Sequence, residues 1–202
     1  MMPSQQHFVR MMKALNVRKS RTVVIYECGK GWFASRAAFM LKTFGHPKVF
    51  ILDGNFAKWT KENRPVESDL IEGDDNETDF GYELNDANIA SYEMVKKVGA
   101  DSSMQILDSR PAASFANGNI PGSVNVPAPT MLTEEGTMKS SEELQALFTS
   151  AGVDISKPTV HSCGGGIMAT LALAASVKAN PSGTNYVFDG SWAEFSAKEA
   201  AQ

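Results

Sequence analysis

A cysteine followed by three glycines, Cys163-Gly164-Gly165-Gly166, stands between a short apolar run and an alanine-rich stretch. The run Pro158–Ser162 predicts a strand, and Ile167–Lys178 predicts a helix. Cys163 therefore falls where a strand ends and a helix begins. In open parallel sheets, ligands bind at that edge. A helix N-terminus supplies unpaired N–H groups and positive potential, both of which stabilise a thiolate. Three glycines let the backbone curl around the sulfur with its N–H groups turned inward. Such a cradle suits a thiolate, a persulfide or the state between them. It equally suits a structural cysteine at a tight strand-to-helix turn.

Other cysteine and glycine-loop chemistries fail on spacing. A cysteine phosphatase needs an arginine six residues after the nucleophile, where this chain has Ala169 after Cys163 and Ala34 after Cys28. The loop lacks the Gly-Lys-Ser/Thr ending of a nucleotide-binding turn, and there is no Gly-x-Ser-x-Gly elbow. His161 and Cys163 are close in sequence, but zinc-ligand spacing is absent. Cys28, between Glu27 and Lys30, is expected to play a minor part.

Elements that would position Cys163 lie on both sides of it. Gln105–Arg110 predicts a short buried strand ending in Asp108 and Arg110, followed by a turn at Asn119-Ile-Pro-Gly122. Ser140–Ser150 predicts a helix. Beyond the cysteine, Asn185–Phe188 predicts another strand, ending in Asp189-Gly-Ser-Trp192. Strands alternating with helices imply an α/β fold, a parallel sheet flanked by helices.

The chain also repeats itself. Asp53-Gly-Asn-Phe-Ala-Lys-Trp59 matches Asp189-Gly-Ser-Trp-Ala-Glu-Phe195 at an offset of 136 residues, and each follows a strand-like run. Ser4–Val17 and Ser140–Val153 share helical spacing at the same offset. Thr22–Gly31, which contains Cys28, parallels Thr159–Gly166, which contains Cys163, if the second copy is two residues shorter. The section from Asn88 to Glu135 has no counterpart in the first copy. The expected organisation is a partial first copy at residues 1–66, an acidic linker at 67–86 and a complete domain at 87–202. A sheet without its early strands exposes an apolar face and an unpaired edge, so the second copy or a protein partner is expected to cover the first.

The order Asp108-Ser-Arg110, Asn119-Ile-Pro-Gly-Ser123, Cys163-Gly-Gly-Gly166, Asp189-Gly-Ser-Trp192 resembles the tandem-rhodanese sulfurtransferases, especially those acting on thiosulfate and 3-mercaptopyruvate. The resemblance implies a rhodanese-like fold and sulfur transfer through a cysteine persulfide. It implies Cys163 as nucleophile, Arg110 as a contact for a small anionic sulfur donor, and Gly164, Gly165, Gly166 and Ile167 as the substrate-binding loop. Asp108, Asp189 and Trp192 would support that loop. The acceptor would be a thiol or cyanide, no cofactor is implied, and mitochondrion and cytoplasm both remain open. The chain departs from the family pattern at Gly165, where Ser or Lys is common, and at Met168, where Thr is common. It also departs at Ser114, where a second arginine is common, and at Asn119, where His is usual. These departures keep a second reading in view, a rhodanese fold serving as a binding or structural module.

Composition narrows the rest. The chain has 202 residues, 43% hydrophobic and 21% charged, with a net charge of −4. A nucleic acid partner is not expected, since phosphate binding needs a basic face. No apolar run approaches the roughly 20 residues needed to cross a bilayer. Two cysteines are too few for a secreted disulfide scaffold. The first 26 residues hold no acidic side chain and resemble a mitochondrial presequence. The repeat favours an ordinary amphipathic helix instead.

Overall fold

The computed structural model describes residues 2–68, 79–98 and 103–201. They divide into two compact units, one over Met2–Asp86 and one from Ala87 onward.

In the N-terminal unit, α1 (Gln5–Ala14) begins at Ser4, whose hydroxyl accepts the His7 N–H. Serine at that position satisfies a donor that the first helical turn leaves free. Phe8 and Met12, four residues apart, form the buried stripe of α1. Strand β1 (Val23–Ile25), helix α2 (Trp32–Thr43), strand β2 (Val49–Ile51) and helix α3 (Asn55–Lys61) follow. β1 and β2 pair in parallel as a two-stranded sheet. The core centres on Phe8, stacked on Phe44 with ring centroids 3.9 Å apart, and on Tyr82 at its edge.

The acidic run 72–77 lies outside the described residues. Residues 79–86, expected to be linker, instead belong to the N-terminal unit. Tyr82 is buried, and its hydroxyl donates to the Val17 carbonyl at 3.0 Å. The Glu83 and Asn85 N–H groups bond to the Phe44 and Thr43 carbonyls. Phe80 and Tyr82 supply the apolar contacts that the acidic composition upstream concealed.

The C-terminal unit contains α4 (Tyr92–Val98), β3 (Gln105–Asp108), α5 (Ala112–Ala116), β4 (Ser123–Asn125), α6 (Ser141–Ser150), β5 (Thr159–Ser162), α7 (Met168–Ala179), β6 (Asn185–Val187) and α8 (Ser191–Ala200). Among the described residues its four strands are all parallel, in the order β4-β3-β5-β6. Parallel strands are joined by crossovers that place helices on the faces. Ile106, Val160 and Phe188 pack with Tyr92, Val95 and Val98 in one cluster. Leu107, Leu144, Phe148, Ala172 and Ala175 form another. A capping box fixes the start of α6, with Ser140 and Glu143 each bonding the other's backbone N–H.

The repeat holds without a gap. α1, β1, α2 and β2 end where α6, β5, α7 and β6 end, or one residue short of it, on a constant offset of 136 residues. The expected two-residue shortening does not occur. Consequently Glu27, not Cys28, stands where Cys163 stands. Among the described residues, no helix is long and apolar enough to cross a membrane.

Candidate active site

Strand β5 delivers Cys163 to the C-terminal edge of the sheet, and α7 begins five residues later. The sulfur is buried, with the residue 1% exposed. The Gly166 N–H donates to Cys163 Sγ at 3.2 Å. Gly166 has φ +82°, and a Cβ there would meet the Asp189 carbonyl oxygen at 2.3 Å. Only glycine fits a left-handed turn pressed against that carbonyl. Gly164 and Gly165 would meet nothing within 4 Å, so the outer part of the loop is open.

The segment after β6 clamps the cysteine from behind. The Trp192 N–H donates to the Cys163 carbonyl at 3.0 Å, and the Ala193 N–H donates to that of Gly164 at 3.0 Å. The Ser191 hydroxyl accepts the Cys163 N–H at 3.0 Å and donates to the Phe188 carbonyl at 2.8 Å. It lies 4.0 Å from the sulfur. Ser191 is fully buried with φ +52°, a conformation uncommon outside glycine and asparagine. Sequence reasoning quoted the Asp-Gly-Ser-Trp motif but overlooked Ser191. Its repeat partner Asn55, a residue type that tolerates positive φ, was the available signal.

Asp108 and Arg110 sit together at the end of β3. Arg110 Nη2 lies 2.7 Å from Asp108 Oδ2, Nε bonds both carboxylate oxygens, and the two residues are 4% and 0% exposed. Nη2 also donates to the Gly118 carbonyl at 2.9 Å, and Nη1 donates to the Ser114 carbonyl at 3.3 Å. The guanidinium lies over the Trp192 ring, 5.0 Å from its centroid. Arg110 was expected at the donor. In the structure Nε, Nη1 and Nη2 each bond within the protein, linking β3 to the Trp192 side of the clamp. Ser109, between them, bonds the Ser162 carbonyl through both its N–H and its hydroxyl.

His161 lies two residues before the cysteine and is fully buried. Burial pushes its pKa down to about 4, against a smaller upward pull from the Asn185 side chain. Nε2 lies 2.8 Å from Asn185 Oδ1, and Nδ1 has no hydrogen-bond partner among the described residues.

The N-terminal unit carries the same scaffold with a different occupant. The Glu27 N–H donates to Asn55 Oδ1 at 3.2 Å, and the Phe56 N–H donates to the Glu27 carbonyl at 3.1 Å. These repeat the Ser191 and Trp192 contacts to Cys163. The Glu27 carboxylate accepts N–H groups from Gly31 at 2.6 Å and Ala34 at 2.9 Å. Cys28 is exposed one residue further on.

A cysteine in a strand-to-helix cradle, present twice as a scaffold and once as a thiol, can be set beside known proteins. The profile of the Rhodanese-like domain matches residues 2–62 and 91–198. The chain is 36% identical to thiosulfate sulfurtransferase of Gallus gallus, over 96% of this chain and 70% of the relative. It is 35% identical to 3-mercaptopyruvate sulfurtransferase of Homo sapiens, over 96% and 69%. The crystal structure of SseA from Escherichia coli superposes with a TM-score of 0.83 and 34% identity, covering 94% of this chain and 74% of that one. The chain belongs to the rhodanese sulfurtransferase family. Within this rhodanese fold, Gly166 of the loop and Ser191 and Trp192 of the clamp bond Cys163 directly.

Proposed function

We propose that the protein transfers sulfane sulfur from a small anionic donor, thiosulfate or 3-mercaptopyruvate, to a thiophilic acceptor through a persulfide on Cys163. The observation that carries this reading is the Gly166 N–H aimed at Cys163 Sγ at the start of α7. Backbone donors and helix potential favour the anionic forms through which the reaction passes.

In the first step the Cys163 thiolate attacks the donor's outer sulfur. A sulfur–sulfur bond forms as the donor's bond to that sulfur breaks. Sulfite leaves from thiosulfate, or pyruvate, after protonation of its enolate, from 3-mercaptopyruvate. In the second step cyanide or a thiolate attacks the outer sulfur of the persulfide. The sulfur–sulfur bond breaks, and the Cys163 thiolate is restored. Gly164, Gly165, Gly166 and Ile167 border the space the outer sulfur would occupy. Asp108 and Arg110 act as positioning residues through Trp192.

A second reading, a rhodanese fold that binds without turnover, draws on the burial of Cys163. One assay separates the two. Thiocyanate formation from cyanide is measured with each donor for the wild type, Cys163→Ser and Cys28→Ser. The enzymatic reading expects activity lost in Cys163→Ser and kept in Cys28→Ser. A folded wild type inactive with both donors would leave the binding reading.

A further inference from the structure

The N-terminal unit holds an open groove of about 450 Å³, lined by Val24, Tyr26, Leu52, Phe56, Trp59 and Val66. Val24 is 55% exposed and Tyr26 57%. The gapless repeat shows what such a surface is built to receive. Val24, Leu52 and Trp59 correspond to Val160, Phe188 and Phe195, and those three are nearly or fully buried. In the C-terminal unit they are covered by Tyr92, Val95 and Val98 of α4 and by Ile106 of β3. Strand β3 also pairs in parallel with the edge of β5 that corresponds to the free edge of β1.

Among the described residues no strand pairs with that edge of β1. The Val23 N–H bonds to the Lys48 carbonyl, and the Ile25 carbonyl accepts the Leu52 N–H. Alternation along a parallel strand then turns the Val24 N–H and C=O toward the other side. An exposed edge of this kind is a template for strand addition.

We infer that this groove and edge bind a polypeptide segment folding as a short helix followed by a strand. The helix would present apolar residues three apart, as Tyr92, Val95 and Val98 do. The strand would lie parallel to β1. This deepens the expectation of a protein partner over the first copy and does not depend on sulfur transfer.

The test uses the full chain and a fluorescent peptide with the sequence of residues 88–108, whose helix Tyr92–Val98 and strand Gln105–Asp108 fill the equivalent place in the second copy. Binding is followed by anisotropy, and backbone exchange is followed at Val24 and Tyr26. Saturable binding with slowed exchange at both amides is expected. Val24→Asp and Tyr26→Asp should each weaken binding by roughly tenfold or more. Both side chains are more than half exposed, so these variants should fold and keep the wild-type rate of thiocyanate formation. A peptide with aspartate at the positions of Val95 and Val98 should not bind. The inference is overturned by an absence of peptide binding or by equal binding to Val24→Asp. It is also overturned by self-association of the unliganded chain that Val24→Asp abolishes, since the groove would then hold a second copy.

Discussion

Glu27 occupies in the N-terminal unit the place that Cys163 occupies in the C-terminal unit. Its carboxylate takes two backbone N–H groups at 2.6 and 2.9 Å where the sulfur takes one at 3.2 Å. The first copy therefore fills its anion cradle with a charge of its own. Glu27→Ala should lower stability by roughly 1–3 kcal/mol, because N–H groups of the loop lose a charged acceptor. Chemical denaturation measures that loss, and the thiocyanate assay should show little change in rate per folded molecule.

The buried Asp108–Arg110 pair gives a different signature. Arg110→Ala leaves the Asp108 carboxylate buried without its partner, a change that typically costs about 3–5 kcal/mol. A residue that only held the donor would raise KM and leave the midpoint of unfolding in place. The expected result is a large fall in that midpoint, and an unchanged midpoint with a raised KM would return Arg110 to the donor.

Ser191 offers a test of the clamp. Ser191→Ala strands the Cys163 N–H in a buried site, which should cost roughly 1–3 kcal/mol and lower kcat by loosening the position of the sulfur. Ser191→Asn restores an acceptor in the form the first copy uses at Asn55. It should recover part of both losses. Recovery of neither would mean that the hydroxyl acts on the sulfur itself, 4.0 Å away.

His161 makes stability depend on pH. Its folded pKa is lowered to about 4 from an ordinary value of 6.5. Between those values the unfolded chain takes up a proton that the folded protein refuses. The contribution is therefore complete above about pH 6.5, falls as pH drops, and levels off below about pH 4. Up to about 3 kcal/mol is at stake over that window. Denaturation at pH 7 and pH 5 should show the loss, and His161→Asn should flatten it. Burial also lowers the pKa of His46, so His46→Asn should flatten it further in the same sense.

Much of this was legible in the sequence. Strand ends and helix starts followed from the apolar runs around Cys163 and from the repeat, whereas of the glycine N–H groups expected to face the sulfur, among the described residues that of Gly166 bonds it. The register of the repeat was misread because aligning Cys28 with Cys163 matched like residues at the expense of a constant offset. Strand pairing decides that question, since Val24 opposite Phe50 and Val160 opposite Tyr186 leave no room for a shift. The engagement of Arg110 depended on Asp108 turning back toward it from two residues away, a side-chain choice with no trace in composition. Residues 79–86 were hidden by the acidic run before them, although Phe80 and Tyr82 carry the contacts that fix them.

The parallel pairing of β3 with β5 also governs how the C-terminal unit forms. Gln105 meets Thr159 only after α5, β4 and α6 have been traversed. No two of its four strands can zip together as a hairpin. Assembly therefore waits on contacts far apart along the chain, which makes folding slow relative to helical proteins of the same size. During synthesis the central strand β3 emerges after α4, which packs on Ile106, but long before β5, α6 and α7, so Leu107 stays open to wrong partners until those later elements arrive.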